Sequence, residues 1–281
     1  ASGLGGFVSS LSAVDSLAIA RDRFYAQGHF ADAFAVVKRA PLALAEVLRG
    51  VPGVADVQTT VEQVVRVEMA GLADPIIGQL IGVDLRQPPR MNRVIVHTGR
   101  ALEPAGTGQG RSEAAIDALV SDGFASARGL RPGDELTALV NGKRRQLRIV
   151  GTALSPEFIF AGMAGMPDMR GFGVFWVDRE VLAAAYDMQG AFNRVAIKLA
   201  PQASEPAALD ALSRLLAPYG GRDAHGRADQ TSHAMLDSEI QQQRVMGTML
   251  PAIFLAVAAF LLHVVLSRLV ATQREQIAAL K

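Results

Sequence analysis

The feature that most constrains this chain is an apolar run near its C-terminus. Residues 245–267 contain no Asp, Glu, Lys or Arg. As an α-helix this run would be about 34 Å long, slightly more than the roughly 30 Å hydrocarbon core of a bilayer. It is apolar on every side, which is not typical of a helix in a soluble core. His263, its one ionisable group, lies near one end, where an imidazole reaches the interface; a functional intramembrane histidine is the alternative. The sequence therefore predicts one membrane-spanning helix.

The basic residues that flank the run indicate its orientation. Arg268, Arg274 and Lys281 follow it, whereas only Arg244 lies just before it. Cytoplasmic flanks of membrane helices carry the excess of Lys and Arg. We therefore expect the residues after 267 to be cytoplasmic, and those before about 245 to lie outside the cytoplasmic membrane.

The composition of the whole chain is that of a folded protein with almost no net charge. Half of all residues are apolar, 20% are charged, the net charge is +1 and cysteine is absent. The balanced charge argues against a nucleic-acid-binding function, which needs a basic surface. The lack of cysteine excludes disulfides, thiolate catalysis and cysteine-ligated metal centres.

Two similar strand–helix patterns bracket the region ahead of the apolar run. One begins with a strand pattern at 30–37 and the other with a strand pattern at 194–200. Between them, residues 73–189 contain several strand patterns and a hairpin signal at Asn141-Gly142, where the flanking residues alternate between apolar and polar. The patterns predict an α+β fold of two lobes. One lobe contains the two strand–helix units, and the other is the inserted β-rich segment.

Amphipathic patterns at the two ends of this region predict a pair of helices. Apolar residues recur at helical spacing from about residue 8 to residue 26, and again from about 232 to 245. No break separates the second pattern from the apolar run, so we expect one continuous helix there. Together these two helices would form a two-helix stalk.

A search for catalytic and metal-binding patterns predicts no site. The glycine-rich stretch 106–112 lacks the spacing and the lysine of a phosphate-binding loop. His225 and His233 lie among acidic residues, but their spacing matches no known set of metal ligands. Glu157 has no visible partner carboxylate for acid–base chemistry. We therefore predict no catalytic residue, no cofactor and no metal.

The C-terminal segment carries the most telling family resemblance. Residues 267–281, SRLVATQREQIAALK, resemble the R-E-x-I-x-x-L-K stretch with which a membrane helix enters the cytoplasm in FtsX/MacB-like ABC-transporter permeases. The resemblance covers essentially the whole chain, from the end of a first membrane helix to just past the second. The supporting stretches are Pro52-Gly53-Val54 with Val57, residues 129–134 (GLRPGD), Ile149-Val150-Gly151 and residues 227–230 (RADQ).

The resemblance implies a domain order as well as a fold. The expected parts are the end of the first membrane helix and a stalk helix (1–27), a porter-like lobe (28–72 and 190–231), an inserted sabre-like lobe (73–189), a stalk and transmembrane helix (232–267) and a cytoplasmic coupling segment (268–281).

The resemblance also implies a function. The chain would be a permease subunit in the bacterial inner membrane that couples cytoplasmic ATP hydrolysis to motion of a periplasmic domain, for export or extraction of a substrate. It would not be an enzyme itself, because the ATPase is a separate cytoplasmic ABC subunit. The ATPase-coupling residues would be Arg274, Glu275, Ile277, Leu280 and Lys281.

The implied partners are that ATPase, the lipid bilayer and a second permease copy or paralogue in a dimer, and a periplasmic adaptor is left open. Two further membrane helices beyond Lys281 are also implied. The alternative function is a membrane-tethered extracytoplasmic sensor or binding module that signals through one span.

Overall fold

A computed structural model describes residues 2–69, 71, 74–87, 89–104, 115–163 and 166–278. The glycine-rich stretch 106–112 and the predicted coupling residues Leu280 and Lys281 lie outside the described residues. The chain divides into two compact units. The globular unit is Phe24–Met235, and the helical unit combines Ala1–Arg23 with Leu236–Lys281.

Helices and strands alternate through the globular unit, and two long helices flank it in sequence. The helices are α1 Ser2–Gly28, α2 Leu44–Arg49, α3 Asp122–Arg128, α4 Arg179–Ala185, α5 Glu205–Leu216 and α6 Thr231–Ala278. The strands are β1 Ala33–Pro41, β2 Val54–Thr60, β3 Glu62–Glu68, β4 Ile76–Val83, β5 Ile95–Gly99, β6 Ala115–Ser121, β7 Glu135–Val140, β8 Lys143–Leu154, β9 Gly162–Met163, β10 Met166–Pro167, β11 Phe172–Asp178, β12 Ala191–Leu199 and β13 His225–Gly226.

Within the helical unit, α1 and α6 are joined by ion pairs. Arg21 Nη1 lies 3.0 Å from Asp237 Oδ1, and Arg244 Nη2 lies 3.6 Å from Asp15 Oδ1. Val14 is buried. The predicted continuity of the upstream helix with the apolar run is confirmed, because α6 is one helix through both.

The two strand–helix units found in the sequence lie side by side in one sheet. This antiparallel sheet has the order β13-β1-β12-β2, and Ala33 of β1 faces Ile197 of β12. The helices α2 and α5 bury their apolar faces against it. Leu48, Phe192 and Leu212 are fully enclosed in the resulting core.

The central strands form a second, seven-stranded sheet whose order is β5-β8-β6-β11-β4-β3-β7. Because β7 also pairs with β8, the strands from β8 round to β7 form a closed ring, with β5 attached outside it. The long strand β8 makes this possible, since it pairs with β7 near its start and with β6 further on. The predicted hairpin is confirmed: Asn141 and Gly142 both have positive φ, 45° and 75°, as a type I′ turn requires.

Residues 54–67 are rich in Val and Thr, and this pattern predicts one long strand, but the structure differs. These residues form two strands, β2 in the first sheet and β3 in the second, although β3 lies within the range 28–72 expected for the porter-like lobe. The change occurs at Val61, which is fully buried and whose carbonyl accepts a hydrogen bond from Gly82 N at 2.8 Å. The mixed α/β class with an apolar C-terminal helix is confirmed, whereas the division into porter-like and sabre-like lobes stays a prediction.

Candidate functional site

The apolar part of α6 is exposed. The stretch Thr231–Leu269 is long and apolar enough to cross a membrane, and none of its most apolar window is buried within the protein. Phe254 and Phe260 are 70% and 65% exposed. Apolar area left in water costs about 25 cal/mol per Å², so burial of this surface in an apolar environment would be favourable.

The predicted coupling residues lie beyond this surface. Because α6 continues to Ala278, Arg274, Glu275 and Ile277 occupy its last turns. Leu280 and Lys281 are outside the described residues. The helix therefore carries the first three on the same continuous element as the apolar run, and their coupling role stays a prediction.

The first turn of α6 is tied to a short stretch of the globular unit, residues 155–160, which we call the anchor segment. Gln230 Nε2 donates a hydrogen bond to the carbonyl oxygen of Glu157 at 2.8 Å. Phe160 N donates to Ser232 Oγ, also at 2.8 Å. These bonds satisfy polar groups at the place where the helix begins, and they fix the start of α6 against the anchor segment.

The end of α1 meets the same anchor segment. A Cβ atom added at Gly28 would lie 2.2 Å from Pro156 Cγ, so only glycine permits this approach. The carbonyl of Gly28 accepts a hydrogen bond from Arg93 N at 2.8 Å, and the next carbonyl, that of His29, accepts one from Asn92 N at 3.2 Å. Both long helices therefore have a terminal turn seated at the anchor segment.

A second group of contacts joins the last turn of α1 to the first turn of α6. The hydroxyl of Tyr25 lies 3.0 Å from His233 Nδ1. The guanidinium of Arg227 lies 5.0 Å from the ring centre of Phe30, donates to the Phe30 carbonyl at 3.0 Å and pairs with Asp32. These contacts lie within the globular unit, and they hold the two terminal turns in one polar and aromatic group.

The anchor segment also supplies one member of a buried charge cluster. The junction cluster, as we call it, is Glu62 of β3, Glu157 and Arg194 of β12. Arg194 Nη1 donates to Glu62 Oε2 at 3.2 Å, and Arg194 Nη2 donates to Glu157. Asn92 Nδ2 donates to Glu157 Oε2 at 2.7 Å, and Gln79 Nε2 donates to Glu62 Oε2 at 2.9 Å. The cluster thus links the first sheet, the second sheet and the anchor segment.

In this cluster one guanidinium pairs with two carboxylates. Burial and this unequal pairing together shift the pKa values of Glu62 and Arg194. Burial raises the pKa of Glu62 more than Arg194 lowers it, and the nearby Glu157 raises it further. Burial alone would lower the pKa of Arg194, but the charges of Glu157 and Glu62 reverse this and hold it above its usual value. Arg194 therefore remains a cation, and the raised pKa makes Glu62 the carboxylate whose protonation is favoured by burial.

A cleft of about 390 Å³ lies next to the junction cluster. Its walls include β2 of the first sheet and the end of β4 of the second, and Glu62 and Glu157 line it. Trp176 and Phe158 form an apolar part of the lining, with their ring centres 6.2 Å apart in an edge-to-face arrangement. The volume is in the range of small-molecule sites.

Sequence reasoning did not find the junction cluster. Glu157 has no partner carboxylate in its sequence neighbourhood, and its partner Arg194 is 37 residues away. Glu62 is separated from Arg194 by 132 residues. The one local signal is that a charged residue opens the apolar strand pattern at 194–200. The spacing of His225 and His233 matches no known set of metal ligands. In the structure, these residues contact the aromatic rings of Phe34 and Tyr25.

Comparison with known proteins gives structural neighbours only. No protein family and no curated protein matches the sequence. The extracellular domain of the noncanonic ABC-type transporter YknZ from Gram-positive bacteria is 13% identical with a TM-score of 0.42, over 69% of this chain and 98% of that one. The periplasmic region of MacB from Actinobacillus actinomycetemcomitans is 9% identical with a TM-score of 0.42, over 75% and 92%.

A permease-type domain from Porphyromonas gingivalis is 13% identical with a TM-score of 0.39, over 70% of this chain and 86% of that one. The resemblance to FtsX/MacB-like permeases predicted from the sequence names the same kind of protein as these neighbours, but at TM-scores of 0.39–0.42 their likeness carries no argument about this chain. At identities of 9–13% it carries no residue roles from those proteins to this one.

Proposed function

We propose that this chain is a membrane-spanning permease-type subunit of an ABC transporter, in which a cytoplasmic ATPase partner moves the globular unit. The observation that carries the proposal is α6, a single 48-residue helix that begins at the anchor segment and continues through the exposed apolar run. At 1.5 Å per residue it is about 72 Å long. A helix is a stiff element, so displacement of its cytoplasmic end would reach the turn held by Gln230 and Ser232.

The proposed location is the bacterial inner membrane, with the globular unit on the periplasmic side and the residues after 267 in the cytoplasm. The lack of cysteine allows a direct test. A membrane-impermeant maleimide applied to spheroplasts should label the exposed position in Gln202→Cys and should not label Gln273→Cys. Both should react after permeabilisation. Labelling of Gln273→Cys in closed spheroplasts would reverse the topology and contradict the proposal.

The proposed coupling segment is the end of α6 with the residues that follow, where Arg274, Glu275, Ile277, Leu280 and Lys281 contact the ATPase. An apolar pair beside charged residues is typical of a helix that docks in a partner's groove. Export or extraction of a substrate would follow from motion transmitted to the globular unit, in a complex with a second permease copy.

The decisive experiment uses the full permease with its ATPase in nanodiscs. Changing Ile277 and Leu280 together to Ser should reduce ATPase association or stimulation, while the amount inserted and the thermal unfolding of the globular unit stay unchanged. The matched control is Gln273→Ser with Gln276→Ser, which alters the same stretch without removing apolar surface and should couple normally. Normal coupling in the first variant would contradict the assignment and favour the sensor module instead.

A further inference from the structure

The lining of the cleft beside the junction cluster includes both charged and apolar side chains. Arg179 and Arg86 belong to its lining, as do the rings of Trp176 and Phe158. Trp176 is only 2% exposed, so its contribution to the cleft is a small apolar wall. Ligand sites in proteins commonly have this composition, with a few polar groups placed on an otherwise apolar lining.

The charged side chains around the cleft are not all paired with one another. The carboxylates of Glu62 and Glu157 are already held by Arg194. Asp56 pairs with two arginines: its Oδ1 lies 3.8 Å from Arg49 Nε, and its Oδ2 lies 3.5 Å from Arg90 Nη1.

Asp84 is the remaining carboxylate of the lining, and its Oδ1 accepts the backbone N–H groups of Arg86 and Gln87 at 2.9 and 3.0 Å. Within the part of the chain that the structure describes, neither Arg86 nor Arg179 forms an ion pair. The lining of the cleft therefore includes two arginines that are not neutralised by an ion pair among the described residues.

Arg179 is the more informative of these two cations. Its guanidinium donates only to neutral groups, namely the carbonyl of Thr59 at 2.7 Å, the hydroxyl of Thr59 at 3.3 Å and the carbonyl of Ala191 at 3.2 Å. Burial lowers its pKa, and Asp84 and Glu180 offset only part of that effect. A guanidinium has five N–H donors, so Arg179 retains donors for a further acceptor while its position is fixed by the bonds to the main chain.

We propose that this cleft binds a small organic anion, with its carboxylate or phosphate group on Arg179 and Arg86 and its short apolar body against Trp176 and Phe158. An anion here would add a directly hydrogen-bonded counter-charge to a partly desolvated guanidinium that Asp84 and Glu180 offset only in part. Charge-assisted hydrogen bonds of this kind are roughly twice as strong as neutral ones. The proposal concerns the globular unit alone and does not depend on the coupling of α6 to an ATPase.

The test uses Trp176, which is the only tryptophan in the chain and therefore reports on this cleft without labelling. The full chain in nanodiscs of zwitterionic lipid is titrated with hexanoate and with butyl phosphate. We expect a saturable change in tryptophan emission with at least one of them. Binding of hexanoate alone identifies a carboxylate ligand, and binding of butyl phosphate alone identifies a phosphate ester. Hexan-1-ol and inorganic phosphate, which each lack one half of the ligand, should bind at least tenfold more weakly.

Variants distinguish anion binding in the cleft from nonspecific binding to the lipid surface. In Arg179→Gln the apparent affinity for the anion should fall at least tenfold, and in Arg86→Gln about threefold. The matched control is Arg144→Gln, which removes an exposed arginine outside the cleft and should bind as the parent does. No saturable change with either anion, equal binding of hexan-1-ol, or full affinity in Arg179→Gln would overturn the proposal. If Arg179→Gln does not fold, the test depends on the variant at the exposed Arg86. Unchanged anion affinity in Arg86→Gln would then overturn the proposal.

Discussion

The apolar core packed against each sheet and the contact between the two sheets are stabilised by different interactions. Each sheet has an apolar core, with Phe192 and Leu212 enclosed in the first and Phe175 in the second. Between the sheets, Arg194 reaches across to Glu62 in a buried ion pair. Apolar packing is non-directional and tolerates small shifts, whereas a buried ion pair depends on one geometry because any loss of contact leaves a desolvated charge. The cores therefore fix each sheet, and the junction cluster fixes how one sheet meets the other.

The largest expected effect comes from breaking the junction cluster. Changing Arg194 to Met leaves Glu62 and Glu157 buried without their cation and should lower the free energy of unfolding by about 3–5 kcal/mol. Urea unfolding of the full chain in detergent, followed by Trp176 emission, measures this change. Adding Glu62→Gln and Glu157→Gln to Arg194→Met should recover part of the loss, because no buried charge then remains. A loss below about 1 kcal/mol in the single variant would contradict the contrast between junction and cores.

Truncation of a core side chain should lower the free energy of unfolding somewhat less than loss of Arg194 does. Unlike that loss, its effect should not depend on salt. Leu212→Ala removes a fully buried side chain from the first sheet's core, and about 3 kcal/mol of unfolding free energy should be lost. That loss should be nearly the same at low and high salt, because no charge is involved. The control is Val47→Ala, which is 53% exposed on α2 and should stay within about 0.5 kcal/mol of the parent. A salt-dependent loss in Leu212→Ala would show that charges also govern this core.

The junction should also differ from the cores in its response to pH. The pKa of Glu62 is raised in the folded state from an ordinary value of 4.5. Above pH 4.5 and up to that raised value, the folded chain holds more protons than the unfolded chain, so its stability should fall as pH rises. Glu62→Gln removes this titration. The variant should gain stability relative to the parent as pH increases from 4.5 towards neutrality, measured by urea unfolding across that range. Parallel stability curves for the two chains would refute the raised pKa.

The smallest expected effect is at an ion pair outside the junction. Arg144 pairs with Glu68, but the two side chains are 70% and 51% exposed. Exposed pairs contribute about 0–1 kcal/mol because water screens them, so Arg144→Met should change the free energy of unfolding by no more than that. The same substitution type at Arg194 provides the direct comparison. A loss at Arg144 as large as the loss at Arg194 would mean that burial does not distinguish the two pairs.

Sequence reasoning succeeded where the signal is local and failed where it is not. The apolar run predicted a helix that is continuous with its upstream neighbour, and Asn141-Gly142 predicted a hairpin, because each rests on adjacent residues. The division of 54–67 into two strands was missed, since a buried Val61 looks like any other valine in an apolar pattern. The ring of strands and the junction cluster were missed for a deeper reason. Both depend on partners far apart in sequence, and one sequence does not contain that pairing information.

The closed ring of the second sheet has a mechanical consequence. Every strand from β8 round to β7 has a hydrogen-bonded neighbour on each side, whereas β13 and β2 end the first sheet as open edges. Shearing a closed ring requires many ladder bonds to shift register at once, while an open sheet can change its twist one strand at a time. If force reaches the globular unit, the ring should respond as a rigid body and the compliance should lie in the open sheet. Amide hydrogen exchange should then be slowest in β11 and β4, which lie within the ring, and fastest in β13 and β2.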